Sequence, residues 1–426
     1  MTEKLLIADQ KGEASDILGE LLISTANNFP EPQFRAKVVN GNSVINPYPY
    51  SITSNADGIG TKPEVIERIF TETDDPDEFE SLAFDLIAMI DGDAARDGLF
   101  LVGVVEIVDT NTAYMPAVKA LARGLYNVAK KGQFAVINGE TAELGDRAGG
   151  YGRVHLNWNA TGLVLDVPEK RITGENLRPG QPIVAFREES TRSNGYGKAY
   201  NILDSLAFCI DDQGFRNMSD LLWYFMKEGI EAGNGLTSTA RFMKRTPLLY
   251  DILNASRPQW HKTFPEIARQ LKIPSRLYGP IMYDAQGGVF GERKVDLVAA
   301  AHITGGGIPL KGIRMVKGKS LGIVVDQVFP DPEALISIYS LVKKANSQQS
   351  KFSLKPVSNY TIDDIEACET WNRGIGFMVV VENKEEARKL IDIAGDHNCE
   401  AAIAVEVIDE PAVNFRGHTW YYPKPA

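Results

Sequence analysis

The stretch SNADGIGTK, residues 54–62, places an acid, two glycines, a hydroxyl and a lysine in the six positions from Asp57 to Lys62. The residues before it, YSITSNAD, read as a strand running into the motif. A strand that ends in Asp-Gly with a second glycine close behind is either a tight turn or a concavity in which backbone N–H groups approach a phosphate. Similar clusters recur at strand ends further along: Gly139-Glu140-Thr141 after QFAVIN, Ser193-Asn194-Gly195 after PIVAFRE, and Thr304-Gly305-Gly306-Gly307 after VDLVAAAHI.

Around these clusters the pattern is that of an α/β chain. Residues 15–29 place Ile17, Leu18, Leu21 and Leu22 on one helical stripe. Residues 77–97 read as a helix with Leu82, Leu86, Met89 and Ile90 inward and with Asp85 and Asp93 on similar faces. LFLVGVVEIV, residues 99–108, has the continuous apolar character of a strand buried on both sides. A helix over 115–131 and a strand over 155–167 follow. VPEKRITGENLRPGQP, residues 167–182, has three prolines, two glycines and no apolar period, so the boundary between two domains falls there, at 1–170 and 171–426. In the tail, strands alternate with helices of ten to fifteen residues, an arrangement expected to lay helices on one face of a sheet. Residues 208–270, aromatic-rich and irregular, read as a mainly helical insertion in the second domain.

Length fits two domains, since 426 residues exceed one ordinary core. A hydrophobic share of 44% and a charged share of 24% are those of a globular protein. The formal net charge of −11, without a basic arm, disfavours nucleic acid as a partner but allows an anionic small molecule held by local charges. No apolar run reaches membrane-spanning length, and residues 1–9 lack the form of a signal peptide, so a cytoplasmic location without membrane attachment is expected. Three distant cysteines and five scattered histidines offer neither a disulfide framework nor a zinc pattern.

The clustered residues suit phosphoryl transfer, in which positioning and charge neutralisation carry most of the catalysis. Mg²⁺ takes one or two carboxylates plus substrate phosphates, and Asp57, Asp93 and Glu140 are the candidates. Lys62 offers a point charge for phosphate. Each piece also has a plainer reading. DG and GG punctuate turns, Glu140 and Glu143 suit a solvated strand end, and a lone His302 is commonly structural. Neither GxxxxGK[ST] nor GxGxxG occurs.

Taken in order, ADGIGTK (56–62), DLIAM (85–89) with Asp93, GETAE (139–143), SNGY (193–196), PSRLY (274–278), AHITGGG (301–307) and TWNRGIGFM (370–378) resemble the AIR synthase family. The resemblance implies a two-domain α/β fold, with an N-terminal sheet domain that pairs two subunits and a C-terminal α/β sandwich. ATP would lie at that dimer interface with Mg²⁺. The implied reaction phosphorylates the amide oxygen of formylglycinamidine ribonucleotide and closes it to aminoimidazole ribonucleotide in purine biosynthesis. By motif position, Asp57 and Asp93 become metal–phosphate carboxylates and Lys62 a catalytic phosphate ligand. Gly58, Gly60, Thr61, Glu140 and Thr141 would line the nucleotide. Arg192, Ser193, Asn194 and Gly195 would meet the substrate phosphate, Thr304, Gly305 and Gly306 would form a substrate loop, and His302 would be catalytic. Lys11 is aligned with a family lysine through two identities.

The sequence departs from the family at several points. Arg192 stands where the family has a histidine, Asn138 replaces a glycine, Gly92 replaces an asparagine, and residues 30–49 hold one glycine where the family has a glycine-rich loop. Two alternatives therefore stay open: another ATP-dependent, amide- or acid-activating enzyme of the superfamily, and a non-catalytic nucleotide-binding relative.

Overall fold

A computed structural model describes residues 37–39, 42–44, 51–210, 259–316, 318–347 and 362–422. The expected helix at 15–29, Lys11 and most of the 208–270 insertion lie outside the described residues. In chain order, strands β1 (Lys37–Val39), β2 (Asn42–Val44) and β3 (Ser51–Gly58) are followed by helices α1 (Pro63–Thr73) and α2 (Leu82–Arg96). Next come β4 (Phe100–Thr110), α3 (Met115–Gly132), β5 (Ala135–Glu143), β6 (Leu156–Asp166) and β7 (Pro182–Arg187). The second half holds α4 (Tyr196–Ile210), α5 (Trp260–Thr263), α6 (Pro265–Leu271), α7 (Gly279–Ala285), β8 (Leu297–His302) and α8 (Gly307–Val316). It ends with β9 (Gly322–Val325), α9 (Glu333–Ser347), α10 (Asp364–Thr370), β10 (Ile375–Val381), α11 (Lys384–Asp396), β11 (Ala401–Ile408), β12 (Ala412–Phe415) and β13 (His418–Tyr421). Among the described residues no helix is long and apolar enough to cross a membrane.

The chain is mixed α/β with two main sheets, in the orders β3-β6-β4-β5 and β13-β12-β9-β11-β7-β10-β8. In the first sheet, α2 and α3 cover one face only. Among the described residues nothing covers the other face: Ile52, Val102, Ile107 and Ile137 are 42–55% exposed. This corrects the expectation that residues 99–108 are buried on both sides. The second sheet departs from expectation in the opposite sense, because helices cover both of its faces. Ile183, Ala185 and Met378 pack with Ile308 and Val316 of α8, while Val184, Phe186 and Val379 pack with Met282 of α7 and Leu390 of α11. The helix expected over 77–97 begins instead as a 3-10 turn, Pro76–Ser81, whose entry is capped by the Asp75 side chain accepting from Asp77 N at 3.0 Å.

α2 is the element both halves share. It lies on β3, β4 and β6 on one side and meets α7 and β8 on the other, so nearly all its residues are buried. A helix buried all round needs an apolar surface or partnered polar groups. LAFDLIAMIDGDAAR has both, and its three acids reach across the junction. Asp85 Oδ1 accepts from Lys62 Nζ at 2.6 Å and from Ser275 N and Oγ at 2.9 and 2.6 Å. Asp91 Oδ2 accepts from Gly279 N at 2.7 Å, and a Cβ at residue 279 would lie 1.8 Å from Asp91 Oδ1. Burial pushes the Asp91 carboxyl up to about 6 against that hydrogen bond and the charge of Arg192. Asp93 accepts from His302 Nδ1 at 2.9 Å.

The Lys62–Asp85 pair has no solvent exposure. Removing one partner orphans a buried charge, so Lys62→Met should cost roughly 3–5 kcal/mol in urea unfolding, and Lys62→Met/Asp85→Asn should recover part of that loss. A single-variant loss below about 1 kcal/mol would remove the pair from the support of the junction.

Candidate functional site

At the end of β3, Asp57 is exposed, and its Oδ1 accepts from Gly58 N at 2.8 Å. The chain then turns through Gly60, at φ +68°, where a side chain would lie 3.1 Å from Ser193 O. The DGIGT turn is thus pressed against the turn at 190–195, which is itself bent by Arg192 at φ +55° and Gly195 at φ +76°. In that second turn, Ser193 Oγ and Asn194 Nδ2 are buried and have no hydrogen-bond partner among the described residues. Asn194 Oδ1 lies 3.3 Å from where a Cβ on Gly305 would stand. Gly306 and Gly307, at φ +91° and +60°, swing the chain into α8, whose first turn lies beside the same place. There Gly307 N donates to Thr304 O at 3.0 Å, Leu310 N donates to Gly306 O at 3.3 Å and Pro309 carries no N–H, so Ile308 N is the donor left over among the described residues. Three segments far apart in sequence, around residues 60, 193 and 305, therefore converge. Thr61 is exposed and Thr304 half-buried at the edges of this region.

A buried polar chain backs the site. Glu188 Oε2 accepts from Arg192 Nη1 at 2.7 Å, and Arg192 Nη2 donates to Ala88 O at 3.1 Å and to His302 Nε2 at 2.6 Å. His302 Nδ1 then meets Asp93 Oδ1. Burial and the Arg192 charge lower the imidazole to about 4, with Asp93 opposing. For Asp93, burial pushes upward, but the hydrogen bond from His302 and the charges of His302, Arg96 and Lys311 outweigh it and hold the carboxyl well below its usual range. His302, expected to be catalytic, has both ring nitrogens engaged and is 1% exposed.

Two further expectations change. Lys62, expected to present its ammonium to phosphate, points instead into the junction and donates to Asp85 and to Ile273 O at 2.6 Å. Asp57, Asp93 and Glu140 were expected to hold one metal ion, and they do not form a triad within the chain. Pairing runs Asp57–Ala160–Glu106–Gly139 across the sheet, with Glu140 one residue further along. Asp57 and Glu140 are thus three strand spacings apart, roughly 14 Å, and the pleat turns them to opposite faces. Glu140, paired with Ile107, faces the bare side, whereas Thr141, paired with Val108, turns to the helix-covered side, and both are exposed at this edge strand. Among the described residues no three His, Cys, Asp or Glu side chains are grouped as a metal site requires.

The site also contains residues that motif reading missed. Lys311, one turn into α8 and 9% exposed, sits in the combined field of Asp93, Asp57, Arg96 and Arg314. Burial and Arg314 lower its ammonium to about 8, while Asp93 and Asp57 oppose. A lysine four residues past a glycine run was a legible signal. Glu188, by contrast, had none.

Residues 276–418 match the family described as AIR synthase related protein, C-terminal domain. The chain is 23% identical over 365 residues to phosphoribosylformylglycinamidine cyclo-ligase of Methanocaldococcus jannaschii, covering 86% of this chain and 80% of that protein. It is 30% identical over 154 residues to the enzyme of the same name from Pyrococcus furiosus, covering 36% and 42%. Among solved structures it is similar to Escherichia coli HypE, a hydrogenase maturation protein, at 13% identity and TM-score 0.48 over 88% and 85% of the two chains.

The setting of Lys311 gives a pH test. Only the ammonium attracts an anion, so sulfate affinity measured by calorimetry should fall about tenfold from pH 7 to pH 9, as the charged fraction falls around pH 8. Lys311→Met should bind sulfate weakly at every pH. A wild-type profile flat across this range would exclude Lys311 from anion binding.

Proposed function

We propose that this chain, a member of the AIR synthase-related superfamily, is a cytoplasmic ATP-dependent ligase that closes formylglycinamidine ribonucleotide to aminoimidazole ribonucleotide. The observation that carries the reading is the convergence of the DGIGT, SNG and TGGG turns, with Gly60 against Ser193 and Gly305 against Asn194. Ser193 Oγ, Asn194 Nδ2, Ile308 N at the start of α8 and Lys311 would hold the substrate's phosphate, since a helix N-terminus and buried donors favour an anion. Asp57 and Asp93 fit the oxygen donors that Mg²⁺ takes alongside nucleotide phosphates, and the reading that they serve one region draws support from both lying within electrostatic reach of Lys311. When bound, Mg²⁺ would neutralise phosphate charge.

In the reaction, the γ-phosphoryl of ATP passes to the amide oxygen of the substrate. That oxygen, a poor leaving group until then, departs as phosphate when the amidine nitrogen attacks the same carbon, and ADP remains. Ring closure is intramolecular, so holding the substrate in a folded pose supplies much of the rate.

Glu140, on the bare face, would reach this chemistry from a second copy. The bare face with Ile52, Val102, Ile107 and Ile137 supports a homodimer in which the nucleotide lies between the sheets and Glu140 serves the groove. A second reading, activation of a different amide or acid, draws support from Arg192, which fills the family's histidine position and cannot exchange a proton at neutral pH.

Purified protein with ATP, Mg²⁺ and formylglycinamidine ribonucleotide should release ADP and form the imidazole product in equal amounts. ADP release indifferent to this substrate, but dependent on another amide, would favour the second reading. Asp57→Asn should abolish metal-dependent nucleotide affinity and leave the melting temperature within a few degrees of wild type; a collapse of folding would make Asp57 structural. Light scattering should give twice the chain mass, and a monomer mass would remove the shared groove.

A further inference from the structure

We propose that Arg192 is a positioning residue: through His302 it fixes the orientation in which Asp93 faces the site. The inference rests on the reading above in that Asp93 serves the nucleotide's metal. A guanidinium only donates, so the 2.6 Å contact of Arg192 Nη2 with His302 Nε2 assigns that nitrogen as acceptor and places the ring proton on Nδ1. Nδ1–H then donates to Asp93 Oδ1 at 2.9 Å. Arg96 Nη1 also meets Oδ1, at 3.2 Å. Both contacts fall on one oxygen, which turns Oδ2 away from them.

With the proton on Nε2 instead, the lone pair of Nδ1 would face the carboxylate, and two acceptors would repel. Arg192 forbids that state because its own N–H occupies the Nε2 side.

The guanidinium is itself held from several elements. Glu188 pairs with Nη1, Arg276 O accepts from Nη1 at 3.3 Å, Ala88 O accepts from Nη2, and the Tyr278 ring lies 5.3 Å away. Arg192 is fully buried, so none of these contacts competes with water. Gly92 completes the arrangement, because a Cβ there would lie 2.5 Å from the His302 ring, and α2 admits the imidazole only where it carries no side chain. The departures at 92 and 192 are thus two parts of one brace.

Two measurements test this. In the ligand-free wild-type protein at pH 7, ¹⁵N NMR of His302 should show the Nδ1–H tautomer; the Nε2–H tautomer or an imidazolium would overturn the brace whatever the protein's substrate. The second is a double-mutant cycle read by calorimetric affinity for a non-hydrolysable ATP analogue with Mg²⁺. Arg192→Met is made together with Glu188→Gln so that no buried charge is orphaned, and this pair should weaken binding about tenfold, the worth of a hydrogen bond to a charged group. In a His302→Asn background, whose amide donates to Asp93 without help from Arg192, the same pair should cost nothing further. An equal loss in both backgrounds, or no loss in either, would make Arg192 merely structural. If wild type binds no magnesium nucleotide, the functional reading falls, and the tautomer alone decides the brace.

Discussion

A helix enclosed on every side must either be apolar or have each polar group answered, and α2 meets this condition in a way that fixes much else. Its apolar residues close the core under the first sheet, and its three acids are answered from the second half of the chain, by Ser275, Gly279 and His302. Lys62 completes the set from the first half. If the halves packed in any other register, each acid would stay buried without its partner and carry a desolvation cost. The two bodies are consequently held in one register, and that register brings the turns at residues 60, 193 and 305 together.

The same constraint explains why the most eye-catching lysine of the sequence is not at the surface. In the DGIGTK motif the glycine turn faces outward while Lys62 follows α1 inward to Asp85, where burial pushes the lysine's affinity for its proton down and the acid's up, each countered by the other. The positive charge at the site comes from α8 instead. Lys311 stands behind the glycine run with Arg314 and Arg96 near it. The chain therefore has anion donors on one side and two carboxylates on the other, while Glu140 lies on the sheet face that no described element covers.

Local elements were legible where one periodicity dominated. Residues 51–58, 115–132, 135–143 and 375–381 adopt the strand or helix that their patterns predict. The turns of the site were legible as well, because glycines at φ +68°, +76° and +91° mark positions that other residues rarely tolerate. What could not be read is pairing at long range. Asp85 and Ser275 are 190 residues apart, and Arg192 and His302 are 110 apart, so no spacing rule connects them. Glu140 shows a different limit: its side of the sheet depends on the register of β4 with β5, which shifts between Val104 and Val105. The exposed face of β4 was missed because a continuous apolar run looks alike whether helices cover both of its sides or only one.

The junction organised by α2 is where a nucleotide and its metal ion are proposed to be held. The most direct measurement is a crystal grown with Mn²⁺ and a non-hydrolysable ATP analogue, read by the anomalous signal of manganese. A peak within coordination distance of Asp57 and Asp93 of one chain, with phosphates beside Lys311, is the predicted result. A peak remote from α2, with both aspartates free of metal, would contradict it.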